Sequence, residues 1–187
     1  MTEGKIIVIV APSGTGKSTL IKRLKSEYPQ ILESVSYTTR DAREGEEDGV
    51  HYNFVSVEKF IDMRDKSGFL EWAEVHGNYY GTGKAFVQSR LSEGSYLLFD
   101  LDVQGTDSFK SFFEEKAKVI FIAPPSVEVL ESRLKGRGTE TQESLRLRLE
   151  NAKMELKRKD DYDFCVVNDD LERAYSDLKN VIEGILK

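Results

Sequence analysis

An apolar run, Ile6-Ile7-Val8-Ile9-Val10, leads directly into Ala11-Pro12-Ser13-Gly14-Thr15-Gly16-Lys17-Ser18-Thr19. An amphipathic pattern follows, with Leu20, Ile21, Leu24 and Tyr28 at helical spacing. Few arrangements satisfy that order. The run reads as a buried strand, the glycines as a tight loop, and the lysine as the opening of a helix. Backbone N–H groups in such a loop point inward at an anion, and the helix adds its positive dipole end at the same spot. Lys17 reaches the β/γ-phosphates of a nucleotide, and the Ser18 hydroxyl ligates Mg²⁺. The strict pattern has glycine where Ala11 stands; Gly14, Gly16, Lys17 and Ser18 meet the rest. An ordinary strand–turn–helix corner uses glycines for turn geometry alone. Such a corner has no need of Lys-Ser-Thr, and a lysine there faces the wrong end of the dipole.

A chain of 187 residues suits one domain with a full core. Its net charge of −6 argues against a nucleic-acid-binding surface but not against a small anionic ligand held in a local field. No apolar stretch approaches the ~20 residues that span a bilayer. Met-Thr-Glu-Gly-Lys runs straight into the first strand without a signal-peptide core. The one cysteine, Cys165, has no internal disulfide partner, and within Phe164-Cys165-Val166-Val167 it is expected to pack as a small hydrophobe. These features together predict a cytoplasmic protein with no membrane partner.

Apolar runs at 5–10, 95–99, 118–122 and 163–167 read as parallel strands buried on both faces. Helical patterns lie between and after them, over 103–116, 126–136 (N-capped by Ser126) and 170–186, where Asp169 with Glu172 fits a capping box. The alternation predicts an α/β fold with right-handed crossovers. Two stretches break it. Residues 34–82 mix short alternating segments, His51–Val55 and Phe69–Val75, with one short helix near 56–66, and read as a mixed α/β insertion. Residues 136–160 are polar and helical with a leucine stripe. They read as a flap over a charged ligand, although the charge pattern alone leans to a solvated surface helix.

The insertion carries Ser36-Tyr37-Thr38-Thr39-Arg40-Asp41-Ala42-Arg43-Glu44-Gly45-Glu46, then Gly49-Val50-His51-Tyr52-Asn53-Phe54, Phe69-Leu70-Glu71-Trp72 and Gly77-Asn78-Tyr79-Tyr80-Gly81-Thr82. With the glycine-rich loop, Asp100-Leu101-Asp102-Val103-Gln104-Gly105 and Val167-Asn168-Asp169-Asp170, the chain closely resembles guanylate kinases, in order and nearly end to end. The resemblance implies a P-loop NTPase-type parallel sheet flanked by helices. It divides the chain into a core (1–33, 83–135, 160–187), a GMP-binding subdomain (34–82) and a helical lid (136–159). It also implies Mg²⁺-dependent transfer of the γ-phosphoryl of ATP to GMP, and to dGMP, in purine nucleotide metabolism. ATP falls to Ala11 through Thr19, with its adenine near Asn168 and Asp169. The acceptor phosphate falls to Arg40, Arg43, Tyr52 and Tyr80, and guanine to Ser36, Glu71, Thr82 and Asp100. Arg137 and Arg148 match the lid's catalytic arginines beside Lys17, with Arg133 a weaker candidate. Ala42 stands where proline is expected.

The chemistry of these residue types suits those roles. A guanidinium fork matches two phosphate oxygens, although Arg40 and Arg43 on pattern alone are equally well surface residues. Guanine presents adjacent N1–H and N2 amino donors, which one carboxylate accepts together; adenine offers it only a lone pair. Glu71 suits that task, yet its pattern alone favours an exposed strand glutamate. Asp100 ends a buried strand in the manner of a Walker-B carboxylate, and Asp102 follows two residues on. Mg²⁺ is expected at Ser18 with one of these aspartates, their division of labour left open. Asp169 either contacts adenine or only caps the last helix. No general base is required, because the GMP phosphate oxygen is already anionic; His51 and His76 read as structural or exposed. The competing expectation is a guanylate-kinase-like interaction module without catalysis, though Lys17 and Ser18 are both intact. The last helix lacks a sustained heptad seam, which predicts a monomer or homodimer.

Overall fold

The computed structural model describes residues 4–75, 77–136 and 142–187. In chain order these form β1 (Lys5–Val10), α1 (Lys17–Glu27), β2 (Ile31–Glu33), β3 (Tyr37–Thr38), β4 (Asn53–Phe54), α2 (Val57–Asp65), β5 (Phe69–Val75), β6 (Asn78–Gly83) and α3 (Lys84–Ser92). They continue with β7 (Tyr96–Leu101), α4 (Val103–Phe113), β8 (Ala117–Ala123), α5 (Val127–Lys135), α6 (Gln142–Leu156), β9 (Phe164–Val167) and α7 (Leu171–Leu186).

The main sheet is parallel throughout, in the order β2-β7-β1-β8-β9. Its central strand explains the unbroken apolar run. Ile7 and Ile9 pack on one face against α1 and α7, with Leu20, Leu24, Leu178 and Ile182. Ile6, Val8 and Val10 pack on the other, with Val87 of α3 and Phe109 and Phe113 of α4. Alternate residues of one strand therefore serve two cores, so no position is left for a polar side chain. Ser126 caps α5 as expected, its hydroxyl accepting from Val129 N at 3.3 Å.

A second sheet, β4-β3-β6-β5, builds the insertion. β3 runs parallel to β4 and antiparallel to β6, and β5 pairs antiparallel with β6. Its small core is aromatic: Phe60 of α2 is fully buried and stacks on Phe69, with ring centroids 4.3 Å apart. α6 lies along α5 through the leucine stripe, where Leu145, Leu149 and Leu156 meet Leu130 and Leu134.

Several sequence expectations need correction. β9 is an edge strand, so only Val166 is buried, against α7; Phe164, Cys165 and Val167 are exposed. Cys165 is therefore not a packed core residue. The last helix is capped by Asp170, whose carboxylate accepts from Arg173 N at 3.0 Å, rather than by an Asp169–Glu172 box. The helix expected over 103–116 ends at Phe113, because Glu114 turns to a φ of 49° and starts a short 3-10 turn. β2 and α3 were not anticipated: β2 has three residues, and α3 buries only Val87 and so shows no apolar stripe. Among the described residues, no helix is long and apolar enough to cross a membrane.

Candidate active site

The carboxyl ends of β1, β7 and β9 converge, and the glycine-rich loop lies across them. Gly14 and Gly16 adopt φ of 89° and 87°, in the left-handed region that favours glycine. Gly16 has a second constraint: a Cβ there would lie 2.5 Å from Asn168 Nδ2. The closeness serves a contact, since Asn168 Nδ2 donates to Thr15 O at 2.6 Å. Asn168 is itself fixed, its N–H donating to Ala123 O at 2.8 Å and its carbonyl accepting from Arg133 Nη2 at 3.0 Å. Inside the loop, Thr15 Oγ1 donates to Pro12 O at 3.0 Å. Ala11, Pro12 and Thr15 are buried, whereas Ser13, Ser18 and Thr19 face solvent.

Lys17 opens α1. Its Nζ donates to Leu101 O at 2.9 Å and forms an ion pair with Asp100. Asp100 and Ser18 border one shallow pocket of about 220 Å³ beside Lys22 and Lys25. Asp102 has a different employment. It caps α4, one carboxylate oxygen accepting from Gly105 N at 2.7 Å.

A cavity of about 400 Å³ opens between the two sheets. Lys17, Asp100 and Asp102 line it from the main sheet, and Ser36, Tyr52, Glu71 and Tyr80 from the small one. Thr82 sits behind that wall, fully buried, and its hydroxyl donates to Glu71 Oε1 at 2.6 Å. Burial raises the Glu71 pKa above the ordinary carboxylate range; Asp102 adds to this, and the Thr82 hydrogen bond opposes it. Burial also raises the Tyr52 hydroxyl, with Tyr80 and Asp100 contributing in the same direction.

The two acceptor-loop arginines differ. Arg40 is half-buried, its guanidinium 5.5 Å above the Tyr52 ring, whereas Arg43 is exposed. Arg40 Nη2 donates to both carboxylate oxygens of Glu46 at 2.9 Å, and Nη1 donates to Asp41 O at 2.6 Å. Burial works against its charge, but Glu46 and Tyr80 outweigh that and hold its pKa above the ordinary value.

At the far end, Asp169 accepts from Asp170 N at 2.7 Å and pairs with Arg173 at 3.3 Å. His51 Nδ1 accepts from Glu47 N at 3.1 Å at the cavity rim. Arg148 is exposed on α6. Arg137 and His76 lie outside the described residues.

Two nearby groups carried no firm role in the sequence. Arg133 was only a secondary candidate; its bond to Asn168 O places it beside the loop. Glu155 was overlooked. It is half-buried on α6, its pKa raised by burial and Asp102 and lowered by Lys17. The available signal was helical spacing: Glu155 falls seven residues after Arg148, on the same flank of α6 and roughly 10 Å along it.

A phosphate loop on a parallel sheet, facing a cavity whose other wall is a small inserted sheet, defines a nucleotide-binding α/β protein of the P-loop class with room for a second ligand. Comparison with known proteins narrows the class. The guanylate kinase family model matches residues 3–185. A guanylate kinase of Nitratidesulfovibrio vulgaris is 49% identical over 94% of this chain and 84% of its own length. One from Prochlorococcus marinus is 46% identical over 96% and 97%. The crystal structure of guanylate kinase from Anaplasma phagocytophilum superposes with a TM-score of 0.78 at 33% identity, covering all of this chain and 88% of that one. The chain belongs to the guanylate kinase family.

Proposed function

We infer that the chain transfers the γ-phosphoryl group of ATP to GMP, giving ADP and GDP. The observation that carries this reading is the shared cavity, which exposes the loop lysine and Glu71 to one space, with the buried Thr82 hydroxyl holding Glu71 from behind. ATP phosphates would lie on the backbone amides of Ala11 to Thr19, with adenine near Asn168, Arg133 and Asp169. GMP would lie across the small sheet. Glu71 accepts both guanine donors, with Thr82 holding the orientation of its carboxylate. Ser36 and Asp100 flank the base. Arg40, Arg43, Tyr52 and Tyr80 hold the phosphate.

The chemistry then needs alignment and charge neutralisation rather than a covalent intermediate. An anionic GMP phosphate oxygen forms a bond to the γ-phosphorus, and the bond from that phosphorus to the β–γ bridging oxygen breaks. Lys17 leaves Asp100 for the β/γ-phosphates and follows the developing charge. Arg148, with Arg137, would approach from the other side as α6 swings inward and water is excluded.

Mg²⁺ fits the donor set. Ser18 and Asp100 present hard oxygen donors on one pocket, and Mg²⁺ characteristically takes one or two protein oxygens and completes its shell with phosphate and water. Bound there, it would shield the phosphate oxygens during transfer; Asp102, occupied as a helix cap, would act from behind.

The test is an ADP-release assay across GMP, AMP, CMP and UMP. Turnover restricted to the guanine nucleotide is expected. Turnover with AMP in preference to GMP would remove Glu71 from its role, and no turnover with any acceptor would favour a binding module.

A further inference from the structure

The loop between β3 and β4 has a difficult task. It must present two guanidinium groups to one phosphate, yet Asp41 through Gly45 are all exposed and belong to no helix or strand. Gly45 turns at a φ of 83°, with nothing within 4 Å of where a Cβ would be. A long arginine side chain on such a segment samples many rotamers, and fixing it on the ligand weakens binding.

One carboxylate relieves the problem. Glu46 is only 19% exposed although its neighbours face solvent. It grips the Arg40 guanidinium through both oxygens, and Oε2 also accepts from Arg43 N at 2.8 Å. Glu46 N returns a bond to Arg43 O at 3.0 Å, closing the turn. The arginine is thereby tied to the backbone of the second arginine. The arrangement keeps Glu46 ionised: the Arg43 amide first, then Arg40, lower its pKa. The Arg40 guanidinium has five donors, and Glu46 engages it only through Nη2, so the grip leaves donors on its other nitrogens that can turn to a phosphate.

We propose that Glu46 is a positioning residue of the acceptor-phosphate site, holding Arg40 and Arg43 in one geometry before GMP arrives. The proposal rests on the assignment of Arg40 to the GMP phosphate. It predicts a penalty specific to the phosphate, because Glu46 touches neither the guanine wall nor the donor loop.

Glu46→Ala and Glu46→Gln should be measured beside Arg40→Ala, with steady-state kinetics and with guanosine binding by calorimetry. For Glu46→Ala the GMP KM should rise about 10-fold, the scale of one lost charge-assisted hydrogen bond. The ATP KM and the guanosine Kd should stay within about 2-fold of wild type, and Glu46→Gln should fall between, since it keeps one oxygen acceptor without the charge. An unchanged or lower GMP KM in Glu46→Ala would overturn the proposal, the lower value marking Glu46 as a competitor of the phosphate. So would a parallel loss of guanosine binding, which marks general damage to the small sheet; Glu46→Gln reads the same ratio if the alanine variant does not fold. If Arg40→Ala itself leaves the GMP KM unchanged, the site assignment fails rather than the role of Glu46 within it.

Discussion

The two walls of the cavity are built on different principles. The donor wall is made of backbone: a loop locked by two positive-φ glycines, tied through Asn168 to the ends of β8 and β9, and continuing directly from β1, in which no side chain is exposed. The acceptor wall is made of side chains on β5, β6 and the loops flanking the two-residue strands β3 and β4, held together by ion pairs, ring contacts and one buried hydroxyl. Backbone amides recognise any phosphate and lose little order when they bind one. Side chains recognise a particular base and must be held by their neighbours. The difference places generic affinity on one wall and selectivity on the other.

Four measurements break or sharpen that contrast. The largest effect belongs to Lys17→Ala, which should lower kcat about 10³-fold, the scale of removing a charge stabiliser from a transferring phosphoryl group. The GMP KM should change far less, and near-normal turnover would separate the loop from the chemistry.

Glu71→Gln comes next. It should erode GMP-over-AMP selectivity by about 10²-fold, since sites built on buried polar contacts lose most when one partner mismatches. It also carries a pH signature. Burial raises the folded Glu71 pKa above that of an ordinary, solvated glutamate. As pH rises from below that value, the unfolded chain ionises first, so wild type loses stability until the folded carboxylate ionises as well. The variant lacks this loss, so its Tm relative to wild type should increase between acid and neutral pH and then level off. A constant offset across that window would show that the Glu71 charge is not desolvated. GMP affinity in wild type should fall as pH drops through the same window, beyond the change seen in Glu71→Gln, whose GMP phosphate titrates alike.

A matched glycine pair tests the walls directly. Gly16 and Gly45 have similar φ, 87° and 83°, but Gly16 abuts Asn168 and Gly45 faces open space. Gly45→Ala should cost only the backbone strain, about 1 kcal/mol. Gly16→Ala should add displacement of Asn168, for about 2–3 kcal/mol in total, with a raised ATP KM. Equal losses in thermal melts would mean that the loop is no more constrained than the acceptor turn. The smallest effect is expected at the root of α6, where Arg158 meets both Asp107 oxygens at 2.7 Å. The pair is partly exposed, so Asp107→Asn should cost under about 1 kcal/mol in chemical denaturation.

Legibility in the sequence followed the same division. The donor loop was readable residue by residue because its strand, turn and helix are contiguous, and the central strands announced themselves by unbroken hydrophobicity. The acceptor wall was not readable that way. Glu71 reaches Thr82 only through the β5–β6 pairing, and β3 and β4 are too short to leave a pattern. There the resemblance supplied the candidate residues, and it drew no attention to Glu46. β9 misled for a physical reason: an apolar run records hydrophobicity but not whether a neighbour covers both faces. Asp169 and Asp170 are chemically identical neighbours, and only backbone geometry decides which one caps α7.

The pairing of Lys17 with Asp100 has one more consequence. The cation meant for one nucleotide is neutralised by an anion at the threshold of the other's chamber. Under the proposed assignment, ATP draws the lysine away, and the Mg²⁺ that accompanies it would take the lysine's place beside the aspartate at the edge of the guanine cavity. Each guest thus alters the charge that the other meets, and the two binding events become thermodynamically linked through a single exchanged counter-ion, before any helix has moved.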